Sequence, residues 1–240
     1  MMRCRQFLNL APMQMWERAS PLPHWIIGDV GTVTDQANPA YRPTTSRKVR
    51  CTIGLPPGFV NNGALRFSPE SPMPETTVEL IQTGPEEAEL IRNLYQYYAY
   101  ESSDWEQEDV EVDGRFYIHD EHLARYWQDP QWSANLLLVD GYIAGFLLIE
   151  GSELPGINAL ELADLFILKR YRRKGIGRAI ASQVLCSGEA NWLVRYYDQD
   201  EVSQAFWRTV LDNLPRPVQT LELDDDPQLV SYLITRAALH

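Results

Sequence analysis

Residues 169–178 read KRYRRKGIGR. Six of the ten are basic: Lys169, Arg170, Arg172, Arg173, Lys174 and Arg178, with Gly175 and Gly177 among them. Residues 73–240 hold only 13 Lys and Arg in all, against 29 Asp and Glu, so the positive charge of an acidic region is gathered at one place. The preceding NALELADLFILKRY (158–171) reads as a long strand, and GRAIASQVLCSG (177–188) as a helix closed by Gly188. A strand therefore passes through a basic, glycine-bearing turn directly into a helix. The first turn of a helix leaves backbone N–H groups without partners and carries partial positive charge. Glycine lets a ligand approach the backbone closely. Together these features describe an anion site suited to a diphosphate.

The elements around this turn follow from periodicity. TTVELIQ (76–82) alternates as a strand, and PEEAELIRNLYQYYAYE (85–101) opens with Pro85 and acidic residues as a helix does. SSDWEQEDVEVDG has no apolar period and reads as a loop; DEHLARYWQDP (120–130) is a short helix stopped by Pro130. SANLLLVDG and YIAGFLLIEG are two strands joined at Asp140-Gly141, a strong hairpin signal. ANWLVRYYD (190–198) is a strand. EVSQAFWRTVLDNL (201–214) is a helix with Val202, Ala205, Phe206, Thr209 and Val210 on one stripe, and VQTLELD and QLVSYLITR are two closing strands. The order β-α-α-β-β-β-α-β-α-β-β makes an α/β (α+β) protein with a mixed sheet and helices packed on it.

Composition sets the outer limits. The 240 residues are 45% hydrophobic, enough for one good core. No apolar run approaches the roughly 18 residues of a membrane span. A net charge of −12 argues against general nucleic-acid binding, which needs a basic face. Cys4, Cys51 and Cys186 are too few and too far apart for a disulfide framework or a zinc cage, so a reduced, cytoplasmic protein is expected. Cys186 is expected to pack. His119-x-x-His122 has no cysteines nearby and is not HExxH; it is read as flanking a helix start, and no metal is expected.

Residues 1–72 differ from the rest. They carry a net charge of +4 and nine of the 16 prolines, with no regular period, while residues 73–240 carry −16. They read as an irregular, proline-rich extension. The alternative, favoured here, is that the native chain starts at Met73.

Two phosphate motifs fail at the turn. A P-loop places its Lys after the glycines, whereas Lys174 precedes them; the dinucleotide fingerprint would need Gly at Ile180. What remains is RxxGxG, Arg172-x-x-Gly175-x-Gly177, after a long strand and before a helix. In this setting, followed by a strand, a helix bearing Phe206-Trp207 and a terminal hairpin, residues 76–240 resemble the GNAT N-acetyltransferases. The resemblance implies a central mixed, mostly antiparallel sheet with helices on both faces and splayed central strands.

It also implies a cosubstrate, acetyl-CoA, and a site. The diphosphate would face the turn, that is Arg172, Arg173, Lys174, Gly175, Ile176, Gly177 and Arg178. The pantetheine arm would pair with Leu165, Phe166, Ile167 and Leu168, where a backbone N–H would polarise the thioester carbonyl. Asp200 and Phe206, within the segment matching NxxAxxFY, belong to the cofactor side. There Asp200 stands for Asn, Ser203 for Ala and Trp207 for Tyr, and an indole is no general acid at neutral pH. Tyr196 or Tyr197, or water, would take that role. In the polyamine-acetylating relatives the strand reads like LEDFFV with a catalytic Glu; the match here is LADLFI, with Ala163 at that position. By simple alternation Glu161, Ala163, Leu165 and Ile167 share one face, and Asp164 and Phe166 the other. Glu161, about 7 Å along the strand from residue 163, ranks first as the base acting through water, and Asp164 second.

The acceptor side is implied to lie at the first two helices. Tyr95, Tyr97, Tyr98 and Tyr100 precede Glu101, Asp104, Glu106, Glu108, Asp109, Glu111 and Asp113 there, seven carboxylates with no Lys or Arg among them. Aromatics beside carboxylates suit a cation, so Tyr97, Tyr98, Glu101 and Asp104 are the expected contacts of a small cationic amine. A solvated acidic loop beside packed tyrosines is the plainer reading. A weakly catalytic acyl-CoA sensor, an enzyme acting on peptide or protein amines, and a homodimer remain open alternatives.

Overall fold

The computed structural model describes residues 48–52, 76–223 and 228–236 of the chain. Among the described residues, eight strands and four α-helices run in the order β1 (Lys48–Thr52), β2 (Thr77–Gln82), α1 (Ala88–Glu106), α2 (Asp120–Gln128), β3 (Ser133–Val139), β4 (Tyr142–Gly151), β5 (Leu160–Ile167), α3 (Ile176–Cys186), β6 (Trp192–Tyr197), α4 (Glu201–Leu211), β7 (Val218–Leu221) and β8 (Leu229–Ile234). From β2 onward this is the order expected from periodicity. The sheet order is β1-β2-β3-β4-β5-β6-β8-β7, and every pairing is antiparallel except β5 with β6.

Local chemistry sets these elements. Asp140 and Gly141 take φ of 52° and 80°, the positive pair that a two-residue hairpin turn requires. Asp140 also accepts from the Thr77 N–H at 2.8 Å, so the turn is tied to β2. Glu87 accepts from the Gly84 N–H at 2.7 Å at the entry to the first helix. Buried Arg216 donates to the carbonyls of Thr235, Leu185 and Ala190, joining the end of α3 to the last strand.

Both faces of the sheet are covered. On one, α1 and α2 bury Ile91, Leu94, Leu123 and Tyr126 against Leu136, Phe146, Leu148 and Phe166. On the other, α3 and α4 bury Ala181, Leu185, Trp207 and Val210 against Leu147, Leu162, Trp192 and Val194. Fully burying one such side chain stabilises by about 1.5–3 kcal/mol.

Some expectations are corrected. KVRCT (48–52), in the stretch expected to be irregular, is a strand paired with β2; the rest of residues 1–72 lies outside the described residues. Helix α1 continues five residues beyond Glu101, to Glu106, where Gln107 closes it with φ 55°. The long strand 158–171 is shorter, because Lys169–Tyr171 form a single 3-10 turn. On α4 the buried residues are Trp207 and Val210, whereas Val202 is exposed, so the apolar stripe is shifted by a position. Cys186 is exposed and free, not packed.

Two departures from regular strand geometry make the site. The first is the β5–β6 pairing, which runs only from Leu160–Trp192 to Leu162–Val194. Beyond it β5 stays with β4 as far as Ile167, and β6 stays with β8 as far as Tyr197. The two strands therefore part in the middle of the sheet. The second is a β-bulge at Ala163: Leu162 pairs with Ile149, and the next pair is Asp164 with Leu148. One extra residue reverses the alternation. Leu165 and Ile167 join Leu162 on the α3/α4 side, while Glu161 and Phe166 lie on the α1/α2 side. Glu161 and Leu165 thus do not share a face, contrary to the straight alternation of the sequence.

Candidate active site

The basic turn leaves β5 at Leu168. Tyr171 N–H donates to the Leu168 carbonyl at 2.8 Å and Arg172 N–H to the Lys169 carbonyl at 3.2 Å, closing the 3-10 turn. The backbone then reverses through two left-handed residues, Arg173 at φ 63° and Gly175 at φ 77°. A Cβ on Gly175 would meet nothing, so this glycine answers a backbone need rather than a spatial one. Gly177 is the opposite case. Its Cβ would lie 3.1 Å from Ile167 Cδ1 and 3.3 Å from Phe206 Cε2, because the first turn of α3 is wedged between the end of β5 and α4. No side chain caps α3. Its first N–H groups, from Ile176, Gly177 and Arg178, are open by helix geometry, and Arg173, Lys174 and Arg178 stand exposed around them.

Arg172 points elsewhere. Nε donates to the Ile167 carbonyl at 2.5 Å, Nη2 donates to Glu101 Oε2 at 2.7 Å, and the guanidinium lies 5.4 Å from the centre of the Phe166 ring. It braces the turn against β5 and α1 rather than joining the exposed cations. Lys169 Nζ adds a longer contact to Glu101 Oε1 at 3.7 Å.

Where β5 and β6 part, the gap opens into a cleft of about 130 Å³. Ala163, Asp164 and Leu165 form one wall and Arg195, Tyr196 and Tyr197 the other. Helix α4 closes one side with Asp200, Ser203, Phe206 and Trp207, and α1 contributes Tyr98 and Glu106. Asp200 also caps α4, accepting from the Val202 and Ser203 N–H groups at 3.1 and 2.9 Å.

The expected site residues divide between the cleft and its surroundings. Asp164, Leu165, Tyr197, Asp200, Phe206 and Tyr98 line the cleft. Glu161 does not: it is buried, with Oε1 and Oε2 accepting from Arg195 Nε and Nη2 at 3.1 Å each. A carboxylate held on both oxygens by a guanidinium is a weak base. The bulge at Ala163 thus gives Asp164 the place in the wall that alternation had assigned to the face of Glu161. Tyr97 is exposed on α1 outside the cleft. Glu101 is engaged by Arg172, and the side chain of Asp104 lies outside the described residues. The acidic stretch is also dispersed. Glu106 borders the cleft, while Glu111 and Asp113 line a separate cavity of about 410 Å³ beside Arg92 and Arg115.

Burial pushes the Tyr196 phenol well above its ordinary range, with a hydrogen bond to Tyr232 adding to the shift. That leaves it a poor proton donor, and Tyr197 is the cleft's other strand tyrosine. Among residues that sequence reasoning missed, Arg195 stands out. Its signal was a lone charge inside the otherwise apolar and aromatic strand WLVRYY. Among the described residues no group of three or more His, Cys, Asp or Glu is placed to hold a metal ion, and no helix is long and apolar enough to cross a membrane.

Residues 91–214 match the model of the acetyltransferase (GNAT) family. The chain belongs to this family. Among solved structures, several acetyltransferases are similar to it. An acetyltransferase from Thermus thermophilus is 18% identical with a TM-score of 0.47, covering 65% of this chain and 95% of its own. A histone acetyltransferase HPA2 and related acetyltransferase from Corynebacterium glutamicum is 11% identical with a TM-score of 0.45, covering 67% and 97%. The PaiA N-acetyltransferase of Thermoplasma acidophilum, solved in complex with coenzyme A, is 13% identical with a TM-score of 0.42, covering 67% and 99%. No curated protein matches the chain. In this GNAT chain the departures from the motif, Ala163 and Trp207, both fall on the cleft wall.

Proposed function

We propose that this GNAT protein transfers the acetyl group of acetyl-CoA to the primary amine of a small, cationic acceptor. The observation that carries the reading is the cleft at the parting of β5 and β6, with the glycine turn and its open helix N-terminus at the end of β5. The turn suits the diphosphate of CoA: Gly175 supplies the left-handed residue that carries the chain into α3, Gly177 lets that helix start pack between β5 and α4, and Arg173, Lys174 and Arg178 add formal charge. Past Leu162, β5 has lost its β6 partner, so its edge is available to a pantetheine arm lying along it as an added strand. A β5 backbone N–H near Leu165 would then donate to the thioester oxygen.

The chemistry is a direct transfer. The neutral amine attacks the thioester carbonyl carbon, forming the N–C bond and a tetrahedral oxyanion. Collapse breaks the C–S bond and releases the CoA thiolate. Asp164, in the cleft wall, takes the ammonium proton directly or through one water, and the Tyr197 hydroxyl protonates the thiolate. Asp164 and Glu106 favour a cationic acceptor by charge, and Tyr98 and Tyr197 by cation–π contact.

The test is thiol release from acetyl-CoA by the purified full chain, with a panel of diamines, amino alcohols, aminoglycosides and basic peptides. Amine-dependent release supports the reading and names the acceptor class. Release with peptides alone removes the small-molecule part. Tight acetyl-CoA binding without release from any amine replaces it with an acyl-CoA sensor.

A further inference from the structure

The cleft contains a cation as well as carboxylates, and that cation is built in. Arg195 sits on β6 one residue beyond Val194, the last residue of β6 paired with β5. Its side chain is only 6% exposed, yet it lines the cleft. Glu161 takes up one edge of the guanidinium fork, through Nε and Nη2, and fixes its plane. That leaves the Nη1 edge for the cleft. Glu161 pairs directly with Glu150 of β4, and Glu150 accepts from Tyr126 of α2 at 2.5 Å, so this pair lies on the α1/α2 side of the sheet. The basic turn leads into α3, which packs on the other side. A donor whose diphosphate rests at the turn leaves the α1/α2 side, and Arg195 with it, to the acceptor.

A second polar group stands beside it. Ser231 on β8 is directly opposite Arg195 and therefore on the same face. Its hydroxyl is buried and without a hydrogen-bond partner among the described residues. Such an orphan in an interior calls for an explanation. The Ser231 Cβ stands about 4.5–5.5 Å from that of Arg195 across the two strands, on the face left to the acceptor.

We propose that Arg195 is the acceptor-specificity residue of this enzyme, and that its Nη1 edge donates to a neutral oxygen, hydroxyl or carbonyl, carried near the reacting amine. This rests on the acetyltransferase reading. The oxygen is neutral because Glu161 already balances the guanidinium charge, and because Asp164 and Glu106 in the same cleft oppose a further carboxylate. The acceptor is thus a β-amino alcohol, as in amino sugars, or an α-amino carbonyl compound. A plain alkyl polyamine lacks the feature. Glu161 serves as the positioning residue that holds the fork.

Two acceptor pairs test this on the full chain. 1,3-Diamino-2-propanol against 1,3-diaminopropane reads a hydroxyl, and lysinamide against 1,5-diaminopentane reads a carbonyl. The wild-type protein is expected to favour the oxygen-bearing member of one pair by about 10- to 100-fold in kcat/KM, the range of a hydrogen bond to a charged group. In Arg195→Lys, which keeps a charge on Glu161 but loses the fork, that preference falls to within about threefold of unity while the Kd for acetyl-CoA from calorimetry is unchanged. The double variant Glu161→Met/Arg195→Met, which removes the buried pair together, gives the same collapse. The pair that responds identifies the oxygen. A preference that survives in either variant, or that is absent from the wild type while both diamines turn over, overturns the inference alone. Turnover of other amines of the wider panel but of none of these four overturns the inference alone, whereas no release with any amine by a wild-type protein that binds acetyl-CoA overturns the acetyltransferase reading and the inference with it.

Discussion

Arg172 donates to Glu101 at 2.7 Å across 71 residues of sequence, so the turn proposed to hold the CoA diphosphate is braced by α1, which also lines the cleft. The same guanidinium takes the Ile167 carbonyl at the end of β5. One side chain therefore joins strand, turn and helix. Both partners are about one-third exposed, which limits the pair to about 1 kcal/mol. Glu101→Gln is expected to raise the KM for acetyl-CoA about fivefold with kcat within twofold of wild type. Steady-state kinetics at saturating amine check this; an equal fall in kcat would place Glu101 in the chemical step instead.

The two glycines of the turn fail differently when substituted. Gly175 needs a positive φ and has empty space around it. Gly175→Ala is expected to cost about 1–2 kcal/mol of local strain and to weaken acetyl-CoA binding about tenfold, and Gly175→Asn to cost less. Gly177 has no such φ, and its added methyl would meet the tips of Ile167 and Phe206. Gly177→Ala is expected to shift those two side chains by a few tenths of an ångström and to weaken binding less than Gly175→Ala. Calorimetric titration of the three variants with acetyl-CoA orders them.

The wall positions separate Asp164 from Glu161. Asp164→Asn is expected to lower kcat by about 10²- to 10⁴-fold with little loss of stability, as the removal of a base does. Glu161→Ala leaves Arg195 buried and unpaired and is expected to destabilise the fold by about 3–5 kcal/mol. Urea unfolding beside single-turnover rates distinguishes the two. A stable but inactive Glu161→Gln, with an active Asp164→Asn, would restore the base to Glu161.

Much of this arrangement could be read from local signals, and the remainder could not for a physical reason. Asp140-Gly141 states its own turn, because few other pairs accept two positive φ values. KRYRRKGIGR states an anion site, because charge, glycine and a helix start coincide within ten residues. The bulge at Ala163 has no such local mark. It is a register event, set by how β4 and β5 pair along their whole length, and it decides which carboxylate reaches the cleft. Arg195 was visible as a charge in an apolar strand, but its partner is 34 residues away and on another strand. KVRCT does alternate polar and apolar, but over only five residues inside a proline-rich stretch, and it is a strand through its pairing along β2. Pairing partners, rather than element types, were what the linear text withheld.

Tyr196 and Tyr197 are neighbours on β6 with different expected behaviour. Tyr196 is buried, stacks on Tyr232 at 6.2 Å between ring centres, and has its phenol pushed upward by that burial and by the hydrogen bond to Tyr232. A group whose pKa rises on folding holds its proton more tightly in the native state. Its stabilising contribution is complete below the unfolded value of about 10 and is lost as pH climbs from there toward the raised native value. Wild-type stability is therefore expected to fall above about pH 10 more steeply than that of Tyr196→Phe, which has no phenol to ionise. Below that pH the two curves run parallel, offset by the lost hydrogen bond, about 1 kcal/mol. Denaturant midpoints measured from pH 8 to 11 show the slope. Turnover adds the functional half: Tyr196→Phe retains kcat within a few-fold at pH 8, while Tyr197→Phe loses about 10²-fold if its hydroxyl protonates the thiolate. Loss of turnover in Tyr196→Phe alone would transfer that role to the buried phenol.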